Sequence, residues 1–120
     1  MSQYIDGFII PVPKDKIEDY LAAAQQSAVV WKEHGALEYR ECVGDDLEVE
    51  DQIPFPRLAN ANPDETVVFA YAVFASKEAR DEANKKIMTD PRLEKMCEEV
   101  GKIFDFKRMA YGGFESRVHE

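Results

Sequence analysis

The sequence predicts an α+β domain of the ferredoxin-like type, with a βαββαβ order and a four-stranded antiparallel sheet carrying its helices on one face. Three observations predict it. Four short runs are rich in aliphatic and aromatic residues, the first bounded by Pro and the second ended by Gly. Two longer stretches carry apolar residues at steps of three and four. The runs and stretches alternate strand, helix, strand, strand, helix, strand, which is the split βαβ pattern. A chain of 120 residues fits one domain, residues 1–120.

The first strand is expected over 4–12, bounded by Pro11 and Pro13, with Gly7 marking a bulge or a close backbone approach. Residues 14–34 read as a helix on the stripe Ile17, Tyr20, Leu21, Ala24, Ala28 and Trp31, with Gly35 as its stop. The second strand is expected over 36–43 and ends at Gly44. Residues 45–65 are the longest irregular stretch, with three Pro and an acidic run from Asp45 to Asp51. The third strand, 66–75, is nearly all apolar and is expected to be buried on both faces. Ser76 is placed to cap a helix over 77–89, and Asp90-Pro91 opens a second one that carries Leu93, Met96, Cys97 and Val100. The last strand is expected over 104–114. The sheet order is expected to be 4-1-3-2. A third strand this apolar requires a cover for the open sheet face, most simply a second copy of the chain.

Composition narrows the function classes. A net charge of -9 repels nucleic acid and anionic membranes, and basic residues do not cluster with aromatics. No apolar run reaches the length of a membrane helix, and the N-terminal residues lack the basic and apolar parts of a signal peptide. Two cysteines make no disulfide framework, which points to a cytoplasmic protein. His and Cys are scattered without ligand spacing, and the acidic run lacks the offsets of a calcium loop, so no metal and no cofactor is expected.

Alternation along the strands groups the candidate site residues. Asp6 shares a face with Tyr4, Phe8 and Ile10; Glu38, Arg40 and Cys42 share one; Arg108 shares one with Phe104, Phe106 and Ala110. With all three faces turned away from the helices, Asp6, Arg40 and Arg108 line the space between two sheets, where Ala70 and Ala72 leave room. Arginine presents a fork suited to carboxylate or phosphate, so Arg40, Arg108 and Glu38 are candidate ligand-binding residues. The plainer reading is a set of ion pairs that fixes a dimer register. His34, at a helix C-terminus, is a candidate acid or base; the plainer reading is a helix cap. Asp6 and Cys42 are further catalytic candidates, Cys42 with Arg40 as its cationic neighbour; the plainer reading of Cys42 is a small buried residue. Tyr39, Tyr71 and Tyr111 are expected on the opposite strand faces, packed beneath the helices.

The segments Tyr4 to Phe8 with Pro11 to Pro13, Trp31 to Ala36, Glu41 to Asp46 and Lys107 to Phe114 resemble the YbaA-like family of small bacterial proteins of unknown function, as do Ser76 to Asp81 and Thr89 to Arg92. The resemblance implies a dimeric α+β barrel with two ferredoxin-like sheets face to face, and no assigned activity. Relatives in that barrel superfamily include cofactor-free monooxygenases, haem-degrading enzymes and stress-response proteins. The haem-degrading pattern is not matched, since the first strand has no Asn and Trp31 and His34 lie on a helix. Three functions are therefore expected in order. The first is a homodimer that binds a small anionic or aromatic ligand between its sheets. The second is a cofactor-independent enzyme of monooxygenase or isomerase type, using Arg108, Arg40, Asp6 and His34. The third is a stress-related interaction module that docks through the acidic 45–65 loop.

Overall fold

A computed structural model describes residues 2–120. Strands β1 (Tyr4–Pro13), β2 (Glu38–Val43), β3 (Glu65–Phe74) and β4 (Ala110–Glu115) form one sheet in the order β2-β3-β1-β4, with every neighbouring pair antiparallel. That is the expected ferredoxin-like order. The register of β1 against β3 runs unbroken from Tyr4 opposite Phe74 to Pro13 opposite Glu65, so Gly7 makes no bulge. Gly7 does allow a close approach: a Cβ there would sit 3.4 Å from the Phe114 ring.

Helix α1 (Ile17–Glu33) follows a single 3-10 turn at Lys14–Lys16. It stops at Gly35, whose φ of 126° lies in a region that side chains with a Cβ avoid. The 45–65 stretch contains a short helix, α2 (Phe55–Leu58). Helix α3 (Lys77–Met88) is capped by Ser76, whose Oγ accepts from the Ala79 N–H at 3.1 Å. Helix α4 (Pro91–Gly101) is capped by Asp90, whose Oδ1 accepts from the Arg92 N–H at 2.9 Å. Both caps were legible as Ser or Asp placed just before a helical stripe.

The core lies between the sheet and the helices. Ile10 and Val12 of β1 and Val68 and Phe74 of β3 pack against residues of α1, α3 and α4 such as Tyr20, Ile87 and Leu93. The even-numbered residues of β1 and β3 therefore face the helices. Their partners show which residues of the outer strands do the same: Tyr39 lies opposite Ala72, Glu41 opposite Ala70, Tyr111 opposite Phe8 and Gly113 opposite Asp6. The other face holds Ile5, Ile9, Phe69, Tyr71, Val73, Phe114, Glu38, Arg40 and Cys42; α1, α3 and α4 leave it free, and among the described helices only the short α2 touches it, through Phe55 against Phe69.

Two expectations are corrected here. The last strand begins at Ala110, six residues later than expected. Asp105 is the reason: its Oδ1 accepts from the Lys107 N–H at 2.9 Å and starts a 3-10 turn over Phe106–Arg108. Phe104, expected in the strand, instead closes the core below α1, its ring 6.0 Å from Tyr20 and 5.1 Å from Phe106. The third strand is not buried on both faces within one chain. Phe69 stays 46% exposed on the helix-free face.

Candidate functional site

Asp6, Arg40 and Arg108 do not line one space. Packing of Phe8, Ile10 and Val12 beneath the helices fixes the parity of β1, and Asp6 turns inward with them. Ala70 and Ala72 also face the helices. Arg40 stands on the helix-free face and pairs with Glu38 at 2.7 Å; the Tyr71 hydroxyl donates to the same Glu38 oxygen at 3.1 Å. Tyr71 thus departs from the expected packing under the helices, whereas Tyr39 and Tyr111 lie on the helix side. Arg108 precedes β4 and is committed to Glu65, donating to its two carboxylate oxygens at 2.7 and 2.8 Å and to the Asn60 carbonyl at 3.0 Å. Those bonds hold the buried Glu65 carboxyl below its usual range and pin the end of the 45–65 stretch to the approach to β4.

His34 does not cap its own helix through its ring. Its Nε2 shares a 2.8 Å hydrogen bond with Asp90 Oδ2, which ties the end of α1 to the start of α4. Arg92 completes the tie, donating to Asp90 and, at 2.6 Å, to Glu33. Arg92 first and His34 second hold the Asp90 carboxyl well below the usual carboxylate range. Cys42 is exposed on the helix-free face, where a small buried residue was the plainer expectation. Cys97 is half-buried, and burial pushes its thiol up.

The helix side holds two polar clusters that sequence reasoning did not assemble. In the first, Glu41 of β2 accepts from the Tyr20 hydroxyl at 2.7 Å and from the Tyr39 hydroxyl at 2.5 Å. Burial raises the Glu41 carboxyl, against the pull of the two hydroxyls. Burial and the neighbouring carboxylate raise both phenols. Both carboxylate oxygens of Glu41 are thus satisfied from within the protein.

The second cluster centres on Asp6, which has no accessible surface. Arg80 of α3 donates through Nη1 to Asp6 Oδ1 at 3.0 Å and to the Tyr111 hydroxyl at 2.9 Å. The guanidinium lies over the Tyr4 ring, 4.7 Å from its centroid. Tyr4 in turn fills the space above Gly113, where a Cβ would approach its ring to 2.7 Å. Two buried polar atoms here have no hydrogen-bond partner, Asp6 Oδ2 and Arg80 Nε, although Asp81 lies 3.0 Å from the latter. Burial raises the Asp6 carboxyl above its usual range, outweighing the attraction of Arg80 and the pull of the nearby Tyr111 hydroxyl. Beside this cluster the rings of Phe8 and Tyr111 stack at 5.0 Å, Trp31 meets Phe8 edge-on at 6.0 Å, and Tyr111 is half-exposed. A sequence signal for Arg80 existed. It stands three and seven residues before Ala83 and Ile87, on the buried stripe of α3.

The helix-free face is a shallow concavity of about 840 Å³ lined mainly by Ile5, Ile9, Phe69, Tyr71, Val73 and Phe114. Phe55 of α2 meets Phe69 edge-on at 6.3 Å and extends the apolar surface, while Ile53 and Leu58 nearby are more than half exposed. Among the described residues no cluster of His, Cys, Asp or Glu is placed to hold a metal ion, and no helix is long and apolar enough to cross a membrane.

Residues 3–106 match the model of a protein family of unknown function, DUF1428. The chain is 42% identical over 118 residues to the uncharacterized protein YbaA of Escherichia coli strain K12, covering 98% of this chain and 99% of that one. Solved structures share the fold at low identity. A dimeric ferredoxin-like protein from an uncultured marine organism aligns with a TM-score of 0.67 at 8% identity over 100% of both chains. A putative antibiotic biosynthesis monooxygenase from Nitrosomonas europaea aligns at 0.64 and 8% identity, over 96% of this chain and 90% of that one. SnoaB, a cofactor-independent oxygenase from Streptomyces nogalater, aligns at 0.61 and 11% identity, over 99% of this chain and 97% of that one. With the sequence match spanning most of its length, this chain belongs to the DUF1428 family of proteins of unknown function.

Proposed function

We propose that the chain works as a homodimer, its helix-free sheet faces packed against each other, and that the dimer binds a small aromatic or anionic ligand. The observation that carries this reading is the helix-free face itself. Phe69 is 46% and Phe114 62% exposed on it, and aromatic surface of that size is costly to leave in water. A symmetric pairing buries the same patch on both copies. The dimeric ferredoxin-like neighbour supports the arrangement. On this face Arg40, Glu38 and the Tyr71 hydroxyl are polar groups able to orient a ligand among the rings. Arg108 is engaged with Glu65 and does not serve there.

Native mass spectrometry of the gently purified protein tests both parts. A dimer carrying a reproducible added mass is expected. A monomer at micromolar concentration overturns the pairing, and a dimer without added mass removes the ligand between the sheets.

A second reading, a cofactor-independent enzyme, is favoured by the fully buried Asp6 with a free oxygen and an arginine beside it. Perturbed, incompletely paired groups of this kind concentrate at sites of chemistry. The oxygenase-type neighbours share the fold and lend this reading its precedent.

A further inference from the structure

We infer that the helix-free face receives a second copy of the chain in one register, with the two-fold axis along the strands and with Arg40 and Tyr71 of each copy standing over the bare Gly112 and Gly7 of the other. The inference rests on the homodimer proposed above and names the partner residues that complete its ligand site. It starts from the strand pairing. Arg40 lies opposite Tyr71, Tyr71 opposite Gly7, and Gly7 opposite Gly112. These four residues make one row across all four strands, in the order large, large, none, none. The next row is Cys42, Phe69, Ile9 and Ala110. Two glycines side by side leave a gap in the face where another backbone can approach. Phe114 borders that gap: a Cβ at Gly7 would lie 3.4 Å from its ring and one at Gly112 3.6 Å.

Symmetry selects the register. Aligned sheets stacked face to face keep their strand directions within about 30°. A two-fold axis between them then runs either across the strands or along them. An axis across the strands sets each strand over its own copy. Arg40 then meets a second Arg40, Tyr71 meets Tyr71, and the glycines face glycines. Like charges oppose each other, bulk meets bulk and gap meets gap. An axis along the strands reverses the order β2-β3-β1-β4 on the partner, so β2 faces β4 and β3 faces β1. Every large residue of the row then faces a glycine. The patch is complementary to itself, as an isologous contact requires.

Charge points to the same occupant. In the three rows between Ile5 and Ile9 the charged side chains are Arg40 and Glu38, paired at 2.7 Å. The patch is therefore neutral on a chain of net charge -9, and two like-charged copies repel least where they meet through it. A ligand oriented by Arg40, Glu38 and Tyr71 of one copy would rest on the glycine backbone of the other, so the site is incomplete in a single chain and occurs twice in the dimer.

The test uses the native Cys42, which is exposed on the edge strand β2. The proposed register sets it over the partner's Ala110, at the rim of the interface. Stacked sheets lie about 10 Å apart and the two side chains point toward each other, so a bismaleimide spanning about 8 Å bridges Cys42 to an Ala110→Cys variant. Two copies of Cys42 would stand three strand spacings apart sideways, about 14 Å, beyond that reach. Cys97 packs on the helix side. A covalent dimer on a denaturing gel is expected with Ala110→Cys and not with the parent. A parent that cross-links equally well overturns the register in favour of the axis across the strands. As a second measurement, Gly112→Val fills the gap and is expected to weaken the dimer roughly 10- to 100-fold in sedimentation. Undiminished association of a Gly112→Val variant folded by circular dichroism overturns the register; if that variant does not fold, the cross-link decides. A dimer in sedimentation that Ala110→Cys does not cross-link sinks the register alone, and a monomer sinks the pairing with it.

Discussion

Two carboxylates lie beneath the helices of this protein, and their surroundings differ. Glu41 accepts from two tyrosine hydroxyls and has no cation near it. Asp6 faces a cation and still leaves one oxygen without a partner. Burial raises both carboxyls. The difference lies in what each neighbourhood still offers. Around Glu41 both carboxylate oxygens and both phenol protons are engaged, and the cluster holds β2 against α1. Around Asp6 an unused acceptor and a half-exposed tyrosine remain. A closed polar network specifies structure, and an open one retains chemical capacity.

Arg80→Met gives the largest expected effect on stability, because it isolates Asp6 in the interior. Breaking a buried pair by removing one partner typically costs 3–5 kcal/mol, and about 3 kcal/mol is expected here since Asp6 can take up a proton instead. Urea unfolding at several pH values checks it. The deficit should shrink as the pH falls; a deficit independent of pH would mean that Arg80 acts through packing alone. Tyr20→Phe leaves Glu41 with one hydroxyl and should cost about 1–3 kcal/mol, and combined with Arg80→Met it should leave the pH dependence of that deficit unchanged. If Tyr20→Phe alters that pH dependence, the two clusters are one coupled network and the contrast fails.

The pH dependence sharpens the same comparison. Both carboxyls have folded values above the ordinary ones, 3.8 for Asp6 and 4.5 for Glu41. Each therefore contributes stability that is fully present below its ordinary value and is lost as the pH rises through its folded one. Asp6→Asn should remove part of that decline, and Glu41→Gln another part. Thermal unfolding between pH 4 and about pH 8 reads both; variants whose stability falls with pH as steeply as the parent would contradict the signs. The smallest effect is expected at a site remote from both clusters. Ser76→Ala loses the cap of α3 at about 1 kcal/mol, read as a lower midpoint in the same urea unfolding.

The fold was legible because its signals are local. Ser76, Asp90-Pro91 and Gly35 each announce a helix end from within a few residues, and four apolar runs in the right order leave few topologies. The site was not legible because it depends on which side of the sheet the helices take. Alternation groups Asp6 with Phe8 and Ile10, and it does so correctly. It cannot say that this group is the inward one, because Ile5 and Ile9 make the opposite face of β1 equally apolar. The partner of Asp6 lies 74 residues away on another element, and only three-dimensional packing brings it back. Arg108 was misplaced for a local reason, the Asp105 turn that replaces the start of the expected strand.

The sole tryptophan of the chain sits where these features meet. Trp31 touches Phe8, Tyr39 and Phe74. Phe8 carries the ring of Tyr111 from the Asp6 side, and Tyr39 belongs to the Glu41 side. The protein thus contains an intrinsic fluorophore at the border between its closed and open networks. Its emission reports on both without a label, and selective excitation of that one indole makes any rearrangement around Asp6 visible as a change in intensity or colour.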